Sequence, residues 1–244
     1  MKGHRVLVTG GGSGAGADLA LGFARAGADV VICGRRVEAL TTVAAQHPAI
    51  RALACDVTNE RSVMDMFEQA GAVDIVIANA GQADSAPFHK TSLDQWNAML
   101  AVNLTGVFLT FREGLRPMQG WGRLVAVCST AGVKGYAKVA PYAAAKHGVM
   151  GMVRSLALEV AKGPVTVNAI CPGFLDTEMT GQSIRIISEK TGRTPAQAKA
   201  ALESLNPQGR LFQPREVTAA ALYLCGPGSE GVNGQAIVIS GGEV

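Results

Sequence analysis

The chain has 244 residues, 48% of them hydrophobic and 17% charged, enough apolar material for a sizeable core and too little charge for a disordered chain. A formal net charge of +3, with the positive residues scattered, gives no polybasic face for nucleic acid or an anionic membrane. No window approaches the ~18 uncharged apolar residues of a membrane span, and the opening apolar run is too short for a secretory leader, so a cytoplasmic protein is expected. Cys33, Cys55, Cys128, Cys171 and Cys225 include no C-x-x-C pair and read as reduced, buried thiols. His4, His47, His89 and His147 lack ligand spacing, so no metal is expected.

In chain order, short apolar runs alternate with longer helical patterns. The first run, 5–9, leads into Gly10-Gly11-Gly12-Ser13-Gly14-Ala15-Gly16 and a helix over 17–26. Glycines permit positive φ and close approach of a ligand to the backbone, and a helix N-terminus presents free N–H groups to a phosphate. The second run, 30–33, ends in Gly34-Arg35-Arg36 before a helix over 37–46. An acid at this place would accept from the adenosine ribose of NAD. Two guanidinium groups instead suit the extra phosphate of NADP, the alternative being a solvated Arg pair. The third run, 51–55, is followed by Asp56, a candidate acceptor for an adenine amino group or a plain turn aspartate, and by a helix over 62–70. The fourth, 75–78, ends in Asn79-Ala80-Gly81, and a helix over 96–111 then carries Asn103 among apolar residues.

The fifth run, 124–128, ends in Ser129, and a strongly helical stretch from Ala140 carries Tyr142 and Lys146. Positions i and i+4 share a helix face. An isolated phenol has a pKa of ~10, and a neighbouring cation lowers such a pKa by ~1–3 units, toward the range where general acid–base transfer is effective. A sixth run, 166–170, leads to Pro172-Gly173, and a seventh, 236–239, closes the pattern. Between them 174–211 is polar and helical, the size of segment that covers a binding site. Strand–helix alternation with near-continuously apolar strands predicts one doubly wound α/β domain over 1–244, a seven-stranded parallel sheet with helices on both faces and a helical lid at 174–211.

The combination of Thr9, Gly10, Gly14 and Gly16 as T-G-x-x-x-G-x-G with Asn79-Ala80-Gly81, Asn103, Ser129, Tyr142-x-x-x-Lys146 and Pro172-Gly173 resembles the short-chain dehydrogenase/reductase family in its ~250-residue form. The resemblance covers essentially the whole chain. It implies that Tyr142 gives a proton to the carbonyl oxygen, Lys146 assists it and holds the nicotinamide ribose, Ser129 polarises the carbonyl, and Asn103 holds a relay water. It implies a cofactor set of Gly10, Gly12, Ser13, Gly14, Ala15, Arg35, Arg36, Asp56, Val57, Asn79, Ala80, Gly81, Tyr142, Lys146, Pro172, Gly173, Leu175 and Thr177, with NADP(H) preferred and NAD(H) the alternative. A homotetramer is the family's common assembly. Ser13 stands where many NADP-using relatives carry a basic residue, so the NADP preference rests on Arg35 and Arg36.

The wording around Tyr142 and Pro172 resembles bacterial ketoreductases of 3-oxoacyl thioesters or polyketides. Val133, Tyr136 and Val139, with Ser129 and Tyr142, are the candidate substrate residues. Lys138, Arg185 and Arg193 are either contacts for a carrier phosphate or solvated charges. The alternatives are an NAD-dependent secondary-alcohol, aryl-alcohol or hydroxysteroid dehydrogenase, and a non-enzymatic NADP sensor or scaffold on the same fold.

Overall fold

The computed structural model describes residues 1–244. Every predicted strand forms: β1 (Arg5–Thr9), β2 (Asp29–Gly34), β3 (Ile50–Ala54), β4 (Ile75–Ala78), β5 (Gly122–Val127), β6 (Val165–Pro172) and β7 (Ala236–Ile239). They make one parallel sheet in the order β3-β2-β1-β4-β5-β6-β7. The winding reverses between β1 and β4, where the connections leave a crevice at the carboxyl edge of the sheet.

Both faces of the sheet are buried, which is why the strands lack polar alternation. Val6 and Val8 point into a cluster with Leu19 and Phe23 of α1 (Gly14–Arg25), Leu40 of α2 (Val37–Ala44) and Val217 of the last helix. Leu7 and Val76 point the other way, against Val63 and Met66 of α3 (Glu60–Ala70) and residues of two later helices. Full burial of each such side chain contributes about 1.5–3 kcal/mol. The segment predicted as one helix over 96–111 is α4 (Leu93–Leu100), a π-helical turn (Ala101–Thr105) and α5 (Gly106–Leu115). The widened turn contains Asn103, and such turns occur frequently at functional sites. α6 (Ala140–Val160) crosses the same face.

Strand β5 begins earlier than its apolar run because Arg123 is buried within it. Its guanidinium donates to Gly122 O at 2.9 Å and Pro164 O at 3.0 Å and stacks on Trp121 at 4.4 Å. The segment expected as a lid forms α7 (Glu178–Thr191) and α8 (Pro195–Glu203). A parallel bridge between Leu175 and Phe212 ties its two ends. α9 (Pro214–Cys225) then returns to the sheet. All five cysteines are buried and free, and no helix is long and apolar enough to cross a membrane.

Candidate active site

The glycine turn follows β1 at the switch point. Gly10 and Gly14 have φ of 67° and 54°, the left-handed region that favours glycine. A Cβ on Gly16 would collide with Gly10 O and lie 2.5 Å from Asn79 Nδ2, so no side chain fits there. The Thr9 hydroxyl accepts from both Asn79 N and Ala80 N at 3.0 Å, while Asn79 Nδ2 donates to Thr9 O at 3.0 Å and Gly10 O at 3.3 Å. The Asn79 amide nitrogen, expected at a cofactor ribose, is thus committed to bracing the turn, and only its oxygen lacks a protein partner. Gly12 lies against Ala39, Ala15 is buried under the turn, and Ala80 backs Gly10.

Ser13 is the N-cap residue of α1, yet its hydroxyl caps nothing in that helix. It accepts instead from Arg36 Nη2 at 2.7 Å. The first-turn N–H groups of α1 are left without a side-chain cap beside a cationic guanidinium, an arrangement suited to a pyrophosphate. Arg36, just beyond the end of the adjacent strand β2, thus brings a guanidinium to position 13. Arg36 Nη1 also lies 3.6 Å from Glu178 Oε2 at the start of the lid. Thr177 sits over the turn, 3.3 Å from where a Cβ on Gly14 would be. Arg35 is exposed. Asp56 Oδ1 accepts from Thr58 N at 2.9 Å and Thr58 Oγ1 at 2.7 Å, an Asx turn. Those bonds, with the charge of Arg35, hold its carboxyl below the usual value. The turn-aspartate reading holds at Oδ1, while Oδ2 has no protein hydrogen bond. Val57 is buried against Gly106.

On the other side of the crevice Lys146 is 3% exposed. Its Nζ donates to Val127 O at 3.0 Å and lies 5.6 Å from the Tyr142 ring centroid. An ammonium has three donors, so two are left for ligand or water. Half-buried Tyr142 makes no hydrogen bond to the protein through its hydroxyl. Ser129 Oγ accepts from Ala131 N at 3.1 Å as the cap of a single 3-10 turn, Thr130–Gly132. That bond fixes the oxygen and leaves the hydroxyl proton to donate. The turn docks on α6 with Gly132, whose Cβ would be 3.0 Å from Lys146 O. Gly81 closes the group, since a Cβ there would lie 3.0 Å from Asn103 Oδ1 and 3.9 Å from Lys146 Nζ.

Asn103 is fully buried. Its Nδ2 donates to Gln82 O at 2.9 Å and Met99 O at 3.1 Å, and its Oδ1 accepts from Gln82 N at 3.2 Å. Both amide protons and one oxygen lone pair thus hold the segment after β4 against the π-helical turn, and Oδ1 keeps a second lone pair.

Tyr136 separates from Tyr142 in role. Its hydroxyl lies 2.6 Å from Glu243 Oε1 and 2.7 Å from Thr130 Oγ1. A carboxylate only accepts, so Tyr136 donates to Glu243 and accepts from Thr130. Burial, together with that bond to Glu243, raises its pKa well above the ordinary phenol value. Val133 and Val139 are half-buried on the same loop, Val139 as the N-cap of α6. Pro172 ends β6, Gly173 N donates to Ile239 O at 2.9 Å, and Leu175 holds the base of the lid. Lys138, Arg185 and Arg193 are exposed. Sequence reasoning missed the bracing role of Thr9 and missed Glu178, Lys134 and Glu243 altogether. Glu243 lies 107 positions from the tyrosine it holds, and no local pattern marks it.

A family model described as short chain dehydrogenase matches residues 4–185. The chain is 34% identical over 253 residues to the 3-oxoacyl-[acyl-carrier-protein] reductase FabG of Aquifex aeolicus, covering 99% of this chain and 98% of that protein. It is 33% identical over 255 residues to the D-beta-hydroxybutyrate dehydrogenase of Cupriavidus necator, covering 100% and 99%. A crystal structure of an actinorhodin polyketide ketoreductase variant with NADPH superposes with a TM-score of 0.91 at 33% identity, covering 98% of this chain and 97% of that one.

Proposed function

The chain belongs to the short-chain dehydrogenase family, and from that premise we propose that it is an NADPH-dependent reductase of ketones, with 3-oxoacyl thioesters as the leading substrate class. The observation that carries the reading is the unshared Tyr142 hydroxyl beside a buried ammonium, set against a Tyr136 proton committed to Glu243. Of the two tyrosines, only Tyr142 is available to protonate a substrate. The glycine turn, with its uncapped α1 N-terminus and Arg36, fits a dinucleotide phosphate, and Thr177, Gly173 and Leu175 would flank its nicotinamide half. When bound, the cofactor supplies the hydride.

In this mechanism Ser129 donates to the substrate carbonyl oxygen from a hydroxyl whose lone pair is fixed by Ala131 N. Tyr142 transfers its phenolic proton to the same oxygen as the C=O π bond breaks and C–H and O–H bonds form. Lys146, anchored on Val127 O, stabilises the charge left on the phenol oxygen with its remaining donors. Asn103 fixes the segment carrying Gly81, which sets the back wall behind Lys146. The relatives named as a 3-oxoacyl reductase and a polyketide ketoreductase support the thioester class. Tyr142→Phe should lower kcat with a ketone panel by about 10²–10⁴-fold while NADPH affinity, read by fluorescence titration, is retained. Undiminished turnover in that variant overturns the mechanism. The family's homotetramer and a cytoplasmic setting belong to the same proposal, and sedimentation velocity tests the first.

A further inference from the structure

Glu243 follows β7 through a turn in which Gly241 and Gly242 have φ of 60° and 94°. Ser240 Oγ accepts from Val244 N at 3.3 Å, and Glu243 N donates to Ser240 O at 3.1 Å. Gly241 lies against Asn206 and Gln208, beyond the second lid helix, too closely for any Cβ. The turn is thereby locked, and it aims the Glu243 side chain inward, where it is 5% exposed. Its carboxylate meets Lys134 Nζ at 2.9 Å and the Tyr136 hydroxyl at 2.6 Å, and Oε2 lies 3.5 Å from where a Cβ on Gly173 would be. Lys134 in turn stacks on the Tyr136 ring at 4.9 Å. This acid therefore reaches between the loop after Ser129 and the carboxyl end of β6, the two walls of the carbonyl crevice.

The cluster has a charge consequence. Lys134 lies on the loop after Ser129, and Glu243 cancels its charge in a pair whose acid end is buried and whose ammonium is partly exposed, so that screening by salt is reduced. Lys146 is the remaining ammonium, and it serves Tyr142. Lys138, further along the same loop, is exposed to solvent, so the wall formed by Thr130 and Tyr136 offers hydroxyl and apolar surface with its adjoining ammonium paired. A substrate with a free carboxylate would find no counter-ion there, because the Lys134 ammonium is already paired with Glu243. An ester or thioester would meet no such penalty.

We propose that Glu243 is a specificity-determining residue: by taking up the Lys134 ammonium it makes this pocket select uncharged carbonyl compounds over oxo acids. The inference deepens the carbonyl-reductase reading and rests on it. The test compares acetoacetate with ethyl acetoacetate, which differ only in that charge, by kcat/KM with NADPH. In wild type the ester should be preferred by about tenfold or more. Glu243→Gln keeps the shape and the acceptor but frees the Lys134 charge. It should raise the acid-to-ester ratio by about tenfold, mainly through a lower KM for the acid. Adding Lys134→Met to that variant should abolish the gain. Lys134→Met alone, which leaves the carboxylate uncompensated, should lower the ratio below wild type, and it carries the test if the Gln variant does not fold. A ratio unchanged within about twofold in both single variants, or a gain that survives in the double variant, overturns the proposal. If wild type reduces neither compound, the 3-oxoacyl reading of the substrate falls. Calorimetric titration of acetoacetate into wild type and Glu243→Gln then decides the charge argument by itself: tighter binding in the variant sustains it and equal binding ends it.

Discussion

Arg36 gives the most direct measure of cofactor choice. In the structure its guanidinium is engaged twice, by the Ser13 hydroxyl at 2.7 Å and by the Glu178 carboxylate at 3.6 Å. An incoming ribose phosphate therefore does not meet a free cation, because it must displace Glu178. Arg36 and Glu178 side chains are 67% and 69% exposed, and a pair so open to solvent contributes about 0.2–1 kcal/mol. One charge-assisted hydrogen bond to phosphate contributes about 1.5–3 kcal/mol. The difference, roughly 0.5–2.8 kcal/mol, corresponds to a preference for NADPH over NADH of about 2- to 100-fold owed to this side chain. Arg36→Ala should shrink the ratio of kcat/KM values for the two cofactors by that factor. Glu178→Gln should move it the other way by about 1.4- to 5-fold, because the competitor for the guanidinium is weakened. Both effects should fall as salt rises toward a Debye length of ~3 Å at 1 M. An unchanged ratio in Arg36→Ala would show that the arginine only braces Ser13 and that phosphate recognition lies elsewhere.

Two further variants probe the frame of the site. Gly16→Ala would drive a Cβ into Gly10 O and the Asn79 amide. Overpacking of this kind costs about 1–3 kcal/mol, so the melting temperature should fall by roughly 2–12 °C and cofactor affinity should drop with it; an unchanged thermogram with intact affinity would show that the turn yields freely. Glu216 accepts from Arg210 at 2.7 and 2.9 Å and from Gln213 N at 2.7 Å, bonds that hold its carboxyl below the ordinary value. A depressed folded-state pKa stabilises the fold above the unfolded value of ~4.3, and that contribution is lost as pH falls through the lowered one. Glu216→Gln should therefore melt below wild type at neutral pH, with the gap closing in acid, and a gap constant with pH would remove the charge from the explanation.

The sheet was legible because its strands are buried on both faces. A parallel strand covered by helices has no polar alternation to blur its limits, and Val6, Leu7 and Val8 or Ile75, Val76 and Ile77 announce themselves as continuous runs. The misplacements have physical causes. Arg123 hid the start of β5, because composition argues against burying a guanidinium and only the carbonyls of Gly122 and Pro164 with the Trp121 ring make it tolerable. The π-helical turn at Asn103 was invisible for a different reason. It inserts a residue into a helix whose apolar pattern on either side stays regular, and the side chain that occupies it is held by the backbone of Gln82, 21 positions away.

The candidate site divides along the same line between local and non-local causes. The places of Gly10, Gly14, Ser129, Tyr142 and Lys146 were readable because each is set by its own turn or helix: a positive φ, a strand end, or an i, i+4 spacing. Ser13 and Arg36 stand in the sequence as separate candidates, and no spacing marks the 2.7 Å bond that brings the Arg36 guanidinium to the glycine turn. Asn79, Asn103 and Asp56 show the converse. Spacing placed them at the crevice, and hydrogen-bond accounting shows that the Asn79 amide nitrogen, the Asn103 amide nitrogen and Asp56 Oδ1 are already spent on the fold, leaving the remaining oxygens for ligand or water. Glu243 lies at the far end of this scale. Two glycines with positive φ turn the chain back after β7, and that turn, more than any side-chain motif, delivers a carboxylate to the wall of the carbonyl crevice. In this fold, then, the residues proposed to meet the reacting atoms are placed by local geometry, while the partners that engage Tyr136 and Lys134 are brought in by chain crossings.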